Sequence, residues 1–284
     1  MRQPIIFIGM HRSGTSMLGR ILESLGLFAG TRQDVNSEAI FFQRLNEWLM
    51  AQCGARWDVP GATHYLWDNE ELLNWIDDYL RYLLDSSRAI QFLGLRRYLT
   101  TSGITQLEMP WGWKDPRNTF TLPMWLRIFP EAKVVYIERH GVDVAQSLLS
   151  RSRKGFINTT RKYRKYRPFV SLFPKQGGFI ESPRCASLEG GFSLWQEYVK
   201  QATKIMLQLQ NHQVLKLRYE QVLEDPITHL RTSAEFCGLD APNHKLEALT
   251  TGINVSRAHY YLNDPELRDF AHNHQVALAD RGYK

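Results

Sequence analysis

Three times along the chain a short apolar run ends in a polar turn and gives way to a stretch of helical period. The first run, Pro4 to Ile8, is continuously apolar, as expected of a strand covered on both faces in a parallel sheet. The loop Gly9 to Ser16 follows. Met17, Leu18, Ile21, Leu22 and Leu25 then recur with helical period, and Gly26 is placed to end that helix. A second unit opens at Lys133. Val134, Val135, Tyr136 and Ile137 read as a buried strand, Glu138-Arg139-His140-Gly141 as its turn, and Val144, Ala145, Leu148 and Leu149 as one side of a helix. A third begins at Gln213, with Val214, Leu215 and Leu217 as strand. Ile227, Leu230, Ala234 and Cys237 line a later helix that Gly238 stops.

Further helical segments are expected around Phe41 to Met50, Glu70 to Leu84 and Phe192 to Leu209, and a Trp-rich stretch, Pro110 to Pro116, precedes the second unit. Strands alternating with helices predict an α/β fold: a central, mainly parallel sheet flanked by helices. At 284 residues and 43% apolar, the chain can fill one such domain across 1–284. Ligands in these sheets bind at the carboxyl ends of the strands, and all three polar turns fall there.

Composition removes several classes. No apolar run approaches the roughly 18 residues of a membrane span, and a strand starting at Pro4 leaves no room for a cleavable leader, so a cytoplasmic protein is expected. Cys53, Cys185 and Cys237 are too few and scattered for a disulfide framework or a zinc site. The +6 charge is unevenly spread. Between Val144 and Ile180 there is no acidic residue, while Arg151, Arg153, Lys154, Arg161, Lys162, Arg164, Lys165, Arg167 and Lys175 all fall there. Such a patch suits an anionic partner, or is simply a solvated basic loop.

The loop Gly9-Met10-His11-Arg12-Ser13-Gly14-Thr15-Ser16 has the glycine spacing of a nucleotide-triphosphatase P-loop, making this a P-loop-type domain. Glycines let successive backbone N–H groups face an anion, and the helix start adds positive charge. Thr15 stands at the usual lysine position, with Arg12 supplying a cation instead. The second strand runs into Glu138, Arg139 and His140 rather than into a magnesium-holding Asp. An anionic nucleotide held by arginines, without a metal, is the expectation.

His11-Arg12-Ser13-Gly14-Thr15-Ser16 resembles the 5′-phosphosulfate loop of the sulfotransferases that use 3′-phosphoadenosine 5′-phosphosulfate (PAPS), above all the tyrosylprotein and bacterial carbohydrate branches. Val135 to Arg139, continuing through Ser147 to Arg151, is similar to that family's 3′-phosphate motif. There the resemblance gives Arg139 and Ser147 to the 3′-phosphate; Gly141 stands where many members carry proline. Arg218 to Val222 with Asp225-Pro226 is similar to the family's third strand, whose tyrosine, here Tyr219, approaches the cofactor phosphates. Ser256 and Arg257 resemble a C-terminal segment that closes over the cofactor. The likeness is poor over about 152–184, which reads as a basic, branch-specific insertion.

The resemblance implies sulfuryl transfer to an acceptor hydroxyl, by in-line attack in which position and electrostatics do most of the work. Arg12 and Lys114, the latter in Lys114-Asp115-Pro116, are the cations it implies for the leaving oxygen. Asp115 and Pro116 read as N-cap and first residue of a helix. For the base, alignment on Arg44-Leu45-Asn46-Glu47 selects Glu38, with Glu47 as rival and a helix first-turn acid as the bland alternative for Glu38. His11 and His140 adjoin the phosphate motifs and read as cofactor-side or structural.

Trp57, Trp67, Trp111 and Trp113 would suit sugar stacking or a core, with core the default. The basic stretch favours a glycan or glycolipid acceptor, with peripheral membrane contact through 151–175. A tyrosine peptide or a small phenol stays open. The rivals are a P-loop kinase or NTPase, a catalytically inactive binder of PAPS or its product, and a nucleic-acid binder, for which no recognition motif is present.

Overall fold

The computed structural model describes residues 2–173, 175 and 177–283. Along the chain come β1 (Ile5–Ile8), α1 (Thr15–Ser24), α2 (Ile40–Ala51), α3 (Thr63–Trp67), α4 (Glu70–Asp85), α5 (Ile90–Thr101), β2 (Gly112–Lys114), α6 (Asn118–Ile128) and β3 (Lys133–Glu138). There follow α7 (Gly141–Tyr166), α8 (Leu188–Met206), β4 (Val214–Arg218), α9 (Tyr219–Glu224), α10 (Pro226–Cys237), α11 (Asn243–Thr250), α12 (Pro265–Asn273) and α13 (Gln275–Ala279). The chain divides into two compact units, Met1–Arg139 with Glu197–Ala258, and His140–Gln196 with His259–Lys284.

The first unit is built on a parallel sheet, four-stranded among the described residues, in the order β2-β1-β3-β4. The period of two along β1 explains its unbroken apolar sequence. Ile6 and Ile8 enter one core with Val134, Trp113, Phe42, Leu80 and Trp125, while Ile5 and Phe7 enter the other with Leu18, Leu22, Val135, Leu230 and Ala234. Helices therefore cover both faces. The first core is aromatic: Phe42 stacks on Trp113 at 3.8 Å between centroids and 5° between planes. Trp111 and Trp113 are core, as the default reading has it, whereas Trp57 and Trp67 are half-buried. Because the order reverses around β1, the turns after β1 and β3 leave the sheet side by side at its carboxyl edge, a topological switch point.

In the second unit, the first turns of α7 bury Val142, Val144, Ala145, Leu148 and Leu149. The Asp143 carboxylate, itself buried, accepts from the backbone N–H groups of Tyr260 (3.2 Å) and Tyr261 (2.8 Å). His140 stacks on Tyr261 at 4.0 Å and 3°. Gly141 has a packing reason: a β-carbon there would come within 2.7 Å of both Phe192 and Trp195.

Two expectations change. The basic stretch is no solvated loop in its first half, because α7 continues to Tyr166. Its arginines and lysines are good helix formers, no proline intervenes before Pro168, and cations in the last turn suit the helix dipole. Pro174 and Gln176 of that stretch lie outside the described residues. The second change concerns Asp115, which caps no helix: α6 begins at Asn118 and Asp115 is 1% exposed.

Candidate active site

The turn after β1 is shaped by two left-handed residues, Arg12 at φ 71° and Gly14 at φ 94°. Gly14 leads directly into α1, whose first N–H groups lack acceptors within the helix and so face outward. No side chain fits at Gly14, since a β-carbon would lie 2.3 Å from Cδ2 of Tyr219. The tyrosine ring thus closes one side of the loop. Ser13 Oγ is buried and has no hydrogen-bond partner among the described residues, and a buried hydroxyl in that state is suited to a ligand oxygen. Ser16 donates to the carbonyl of Asn36 at 2.8 Å, and Thr15 is buried. The Gly9 N–H donates to Thr119 Oγ1 at 3.0 Å, anchoring the loop to α6. His11 is half-buried, its ring edge-on to Trp57 at 4.7 Å and to Tyr198 at 6.2 Å.

At the end of β3, Arg139 is buried to 9% exposure and lies over the Tyr219 ring at 4.8 Å. It donates to the carbonyl of Arg12 at 3.3 Å and to that of Arg257 at 2.9 Å. One guanidinium therefore ties the phosphate loop, the start of α9 and the Ser256–Arg257 segment together. Ser256 and Arg257 are themselves exposed in a single 3₁₀ turn, where the Asn254 side chain accepts from the Ser256 N–H and hydroxyl. Ser147 lies half-buried on α7, in the second unit.

Two residues beyond Asn36 the chain reaches Glu38, 3% exposed, in a tight hairpin whose Asp34 accepts from the Glu38 N–H at 2.9 Å. Glu38 Oε1 accepts from Lys114 Nζ at 3.0 Å. Its Oε2 accepts from Gln43 at 2.9 Å and from Arg117 at 3.4 Å. Lys114 reaches it from the end of β2, where it pairs in register with Phe7 of β1. The two residues aligned by resemblance are thus in direct contact, while the side chain of the rival, Glu47, is 55% exposed and held by Arg117 at 2.8 Å.

Arg117 is the residue of this cluster that the sequence reading missed. Its guanidinium bonds Glu38, Glu47 and, at 3.1 Å, Asp115. Asp115 also accepts from the Arg117 backbone N–H at 2.9 Å, an Asx turn, and from Asn46 at 2.9 Å. Asn46 in turn bonds Asn118, Thr121 and Trp125, all buried. The available signal was Arg117 immediately after Lys114-Asp115-Pro116, facing the Asn46-Glu47 pair used for alignment. Burial pushes the Asp115 carboxyl up to about 6; Arg117 works against that shift and Glu38 adds to it. For Arg117, burial acts to lower the pKa, but Asp115, Glu38 and Glu47 outweigh it and hold the group above its ordinary range. Burial also pushes the Tyr198 phenol well above its usual value, and its hydroxyl donates to the carbonyl of Trp57 at 2.8 Å.

The Sulfotransferase family model matches residues 4–243, a span that holds the loop, Glu38, the Lys114–Arg117 cluster, Arg139 and Tyr219. Among solved structures, the sulfotransferase domain from the curacin biosynthetic pathway is similar over 100% of this chain and 99% of its own, at 14% identity and TM-score 0.53. The sulfotransferase from Alicyclobacillus acidocaldarius is similar over 90% of this chain and 99% of its own, at 16% identity and TM-score 0.43. Against curated proteins the sequence has no match. At such identities the first of these structures speaks for the fold, while the family match covers most of the chain, and on that match the protein belongs to the sulfotransferase family and is a sulfotransferase enzyme.

Proposed function

We propose that the protein transfers a sulfuryl group from PAPS to a hydroxyl of a carbohydrate or glycolipid. The observation that carries this reading is the buried Lys114–Glu38 contact in the first unit, which also holds the helix-start phosphate loop. The residues fit the donor: Gly14 leads into α1 with the Tyr219 ring packed against it, Ser13 Oγ is buried among the described residues without a partner, and Arg139 is a buried cation at the strand end. His11 to Ser16, Arg139 and Tyr219 would hold it, with Ser256 and Arg257 as further contacts carried over from the family resemblance. PAPS, when bound, supplies the sulfuryl group.

In this reading Glu38 takes the proton of the attacking acceptor hydroxyl, a contribution of about 10²–10⁴-fold. Arg12 and Lys114 place positive charge where the departing oxygen gains negative charge, the role a metal fills in phosphoryl transfer. Gln43 and Arg117 orient the carboxylate. A carbohydrate acceptor is supported by the half-buried Trp57 against His11. An anionic one is supported by a depression of about 550 Å³ lined by Arg32, Arg44, Arg88, Thr31, Ser87 and Gln91. That depression adjoins the Glu38 hairpin, since the Arg32 carbonyl accepts from the Ile40 N–H.

The test incubates the purified chain with PAPS and panels of neutral glycans, anionic glycans, glycolipids, tyrosine peptides and phenols, following release of 3′-phosphoadenosine 5′-phosphate. Release dependent on a glycan or glycolipid, and lost in Glu38→Gln, supports the reading. Turnover only with tyrosine peptides or phenols moves the acceptor class. Tight donor binding with no turnover on any acceptor would leave a binding protein, and magnesium-dependent ATP cleavage a kinase-like enzyme.

A further inference from the structure

The second unit carries a surface that the chemistry of transfer does not use. From Arg153 onward α7 is mostly exposed, and the 3₁₀ turn Arg167–Phe169 and residues to Phe173 extend that exposure. Nine Lys and Arg fall between Val144 and Ile180 with no acidic residue among them. One, Arg151, is paired with Glu181 just outside the stretch. Set among these cations are large apolar side chains in solvent: Phe156, Ile157 and Tyr166 at 44–55% exposure, then Phe169 at 57%, Leu172 at 70% and Phe173 at 77%. Phe179, beyond the segment, packs edge-on against Tyr163 of α7 at 5.3 Å. The surface therefore belongs to a packed element.

We propose that the exposed part of α7 and the turn following it, Arg153 to Phe173, form a docking surface for an anionic lipid bilayer. Charge complementarity supplies half of the argument: an acid-free run of cations is attracted to a negative surface within a Debye length. The apolar residues supply the other half. A polyanion such as a glycan or nucleic acid is bound by the cations and gains little from Ile157 or Leu172, whereas a bilayer interface accepts the bodies of Phe169, Leu172 and Phe173 and the head groups of Arg and Lys together. Among the described residues no helix is long and apolar enough to cross a membrane, so the contact lies on the surface. This inference stands independently of the acceptor.

The experiment is co-sedimentation of the full chain with vesicles of phosphatidylcholine alone, or with a third of that lipid replaced by phosphatidylserine. Three variants accompany it: Lys162→Glu/Arg164→Glu/Lys165→Glu, Phe169→Ser/Leu172→Ser/Phe173→Ser, and both sets together. The expected result is sedimentation with the anionic vesicles only, released by high salt, and weakened at least about tenfold by the charge variant. The apolar variant weakens it too, while circular dichroism and nucleotide binding stay unchanged in both. Absence of binding to anionic vesicles overturns the proposal, as does binding that the variants leave intact. Retention on heparin without vesicle binding overturns it as well, and assigns the surface to a polyanion.

Discussion

Lys114 Nζ lies 3.0 Å from Glu38 Oε1, both side chains 4% exposed although 76 positions separate them in sequence. The contact forms because β2 ends beside β1 just as the hairpin after α1 returns through Asn36, held there by Ser16 of the phosphate loop. Each charge offsets the cost of burying the other; without Lys114 the carboxylate keeps Arg117 and Gln43, whereas without Glu38 the buried ammonium loses its carboxylate partner. A cation and a carboxylate are thereby held in contact at the carboxyl edge of the sheet, the pair to which the proposed function gives the proton transfer and the leaving oxygen.

Glu38→Gln keeps the shape and the Gln43 neighbour but removes proton acceptance, so kcat is expected to fall about 10²–10⁴-fold. Affinity for 3′-phosphoadenosine 5′-phosphate, measured by calorimetry, should stay within a few-fold. Lys114→Ala should lower kcat as well, and the double variant should lose less than the sum of the two free energies, because the residues act as a unit. Additive losses would show that the contact has no part in turnover.

Arg117 joins three carboxylates, so its loss reaches both stability and rate. Arg117→Ala leaves Asp115 and Glu38 buried with fewer partners and should cost roughly 3–5 kcal/mol in urea unfolding. Arg117→Lys keeps the charge without the fork that spans Asp115 and Glu47. It should recover much of the stability yet remain slow in kcat, with KM for the donor little changed. Recovery of full turnover in the lysine variant would reduce Arg117 to a structural cation.

The sheet and the phosphate loop were legible because their signals are local. Ile5 to Ile8 and Val134 to Ile137 are unbroken apolar runs, and Gly9, Arg12 and Gly14 sit within one turn. Glu38 and Lys114 were reached only through the family resemblance. The Arg117 hub carried no periodicity at all, being assembled from residues 38, 47, 115 and 117 that meet only through tertiary packing. Asp115 was misread for the same reason: Asp-Pro is a local helix-start pattern, and nothing local shows that the carboxyl is buried against a guanidinium. The length of α7 was hidden by its composition, since its second half is a run of cations with few apolar positions to mark a buried face.

Asp115 gives a pH test with a definite sign. Its folded-state pKa is raised from 3.8 to about 6. Between those values the folded chain holds a proton that the unfolded chain has released, so this group's contribution to stability falls as pH rises through that window and is constant above it. Asp115→Asn cannot titrate. The difference in urea midpoint, wild type minus variant, should therefore decline from pH 4 to pH 6 and then level off. A difference that rises with pH would mean that pairing with Arg117 outweighs burial and that the carboxyl is depressed instead.

Gly14 tests the loop itself. Its φ of 94° lies where side chains are strained, and its missing β-carbon is replaced by the Tyr219 ring 2.3 Å from where that atom would sit. Gly14→Ala must shift either the loop or the ring, and should weaken binding of 3′-phosphoadenosine 5′-phosphate at least tenfold, roughly 1.4 kcal/mol. Adding Tyr219→Ala opens the space but leaves the backbone strain, so the double variant should recover only part of the affinity. Full recovery would show that the ring contact alone requires glycine at this position. No loss in the single variant would mean that the nucleotide is held elsewhere, and would count against the loop as the donor site.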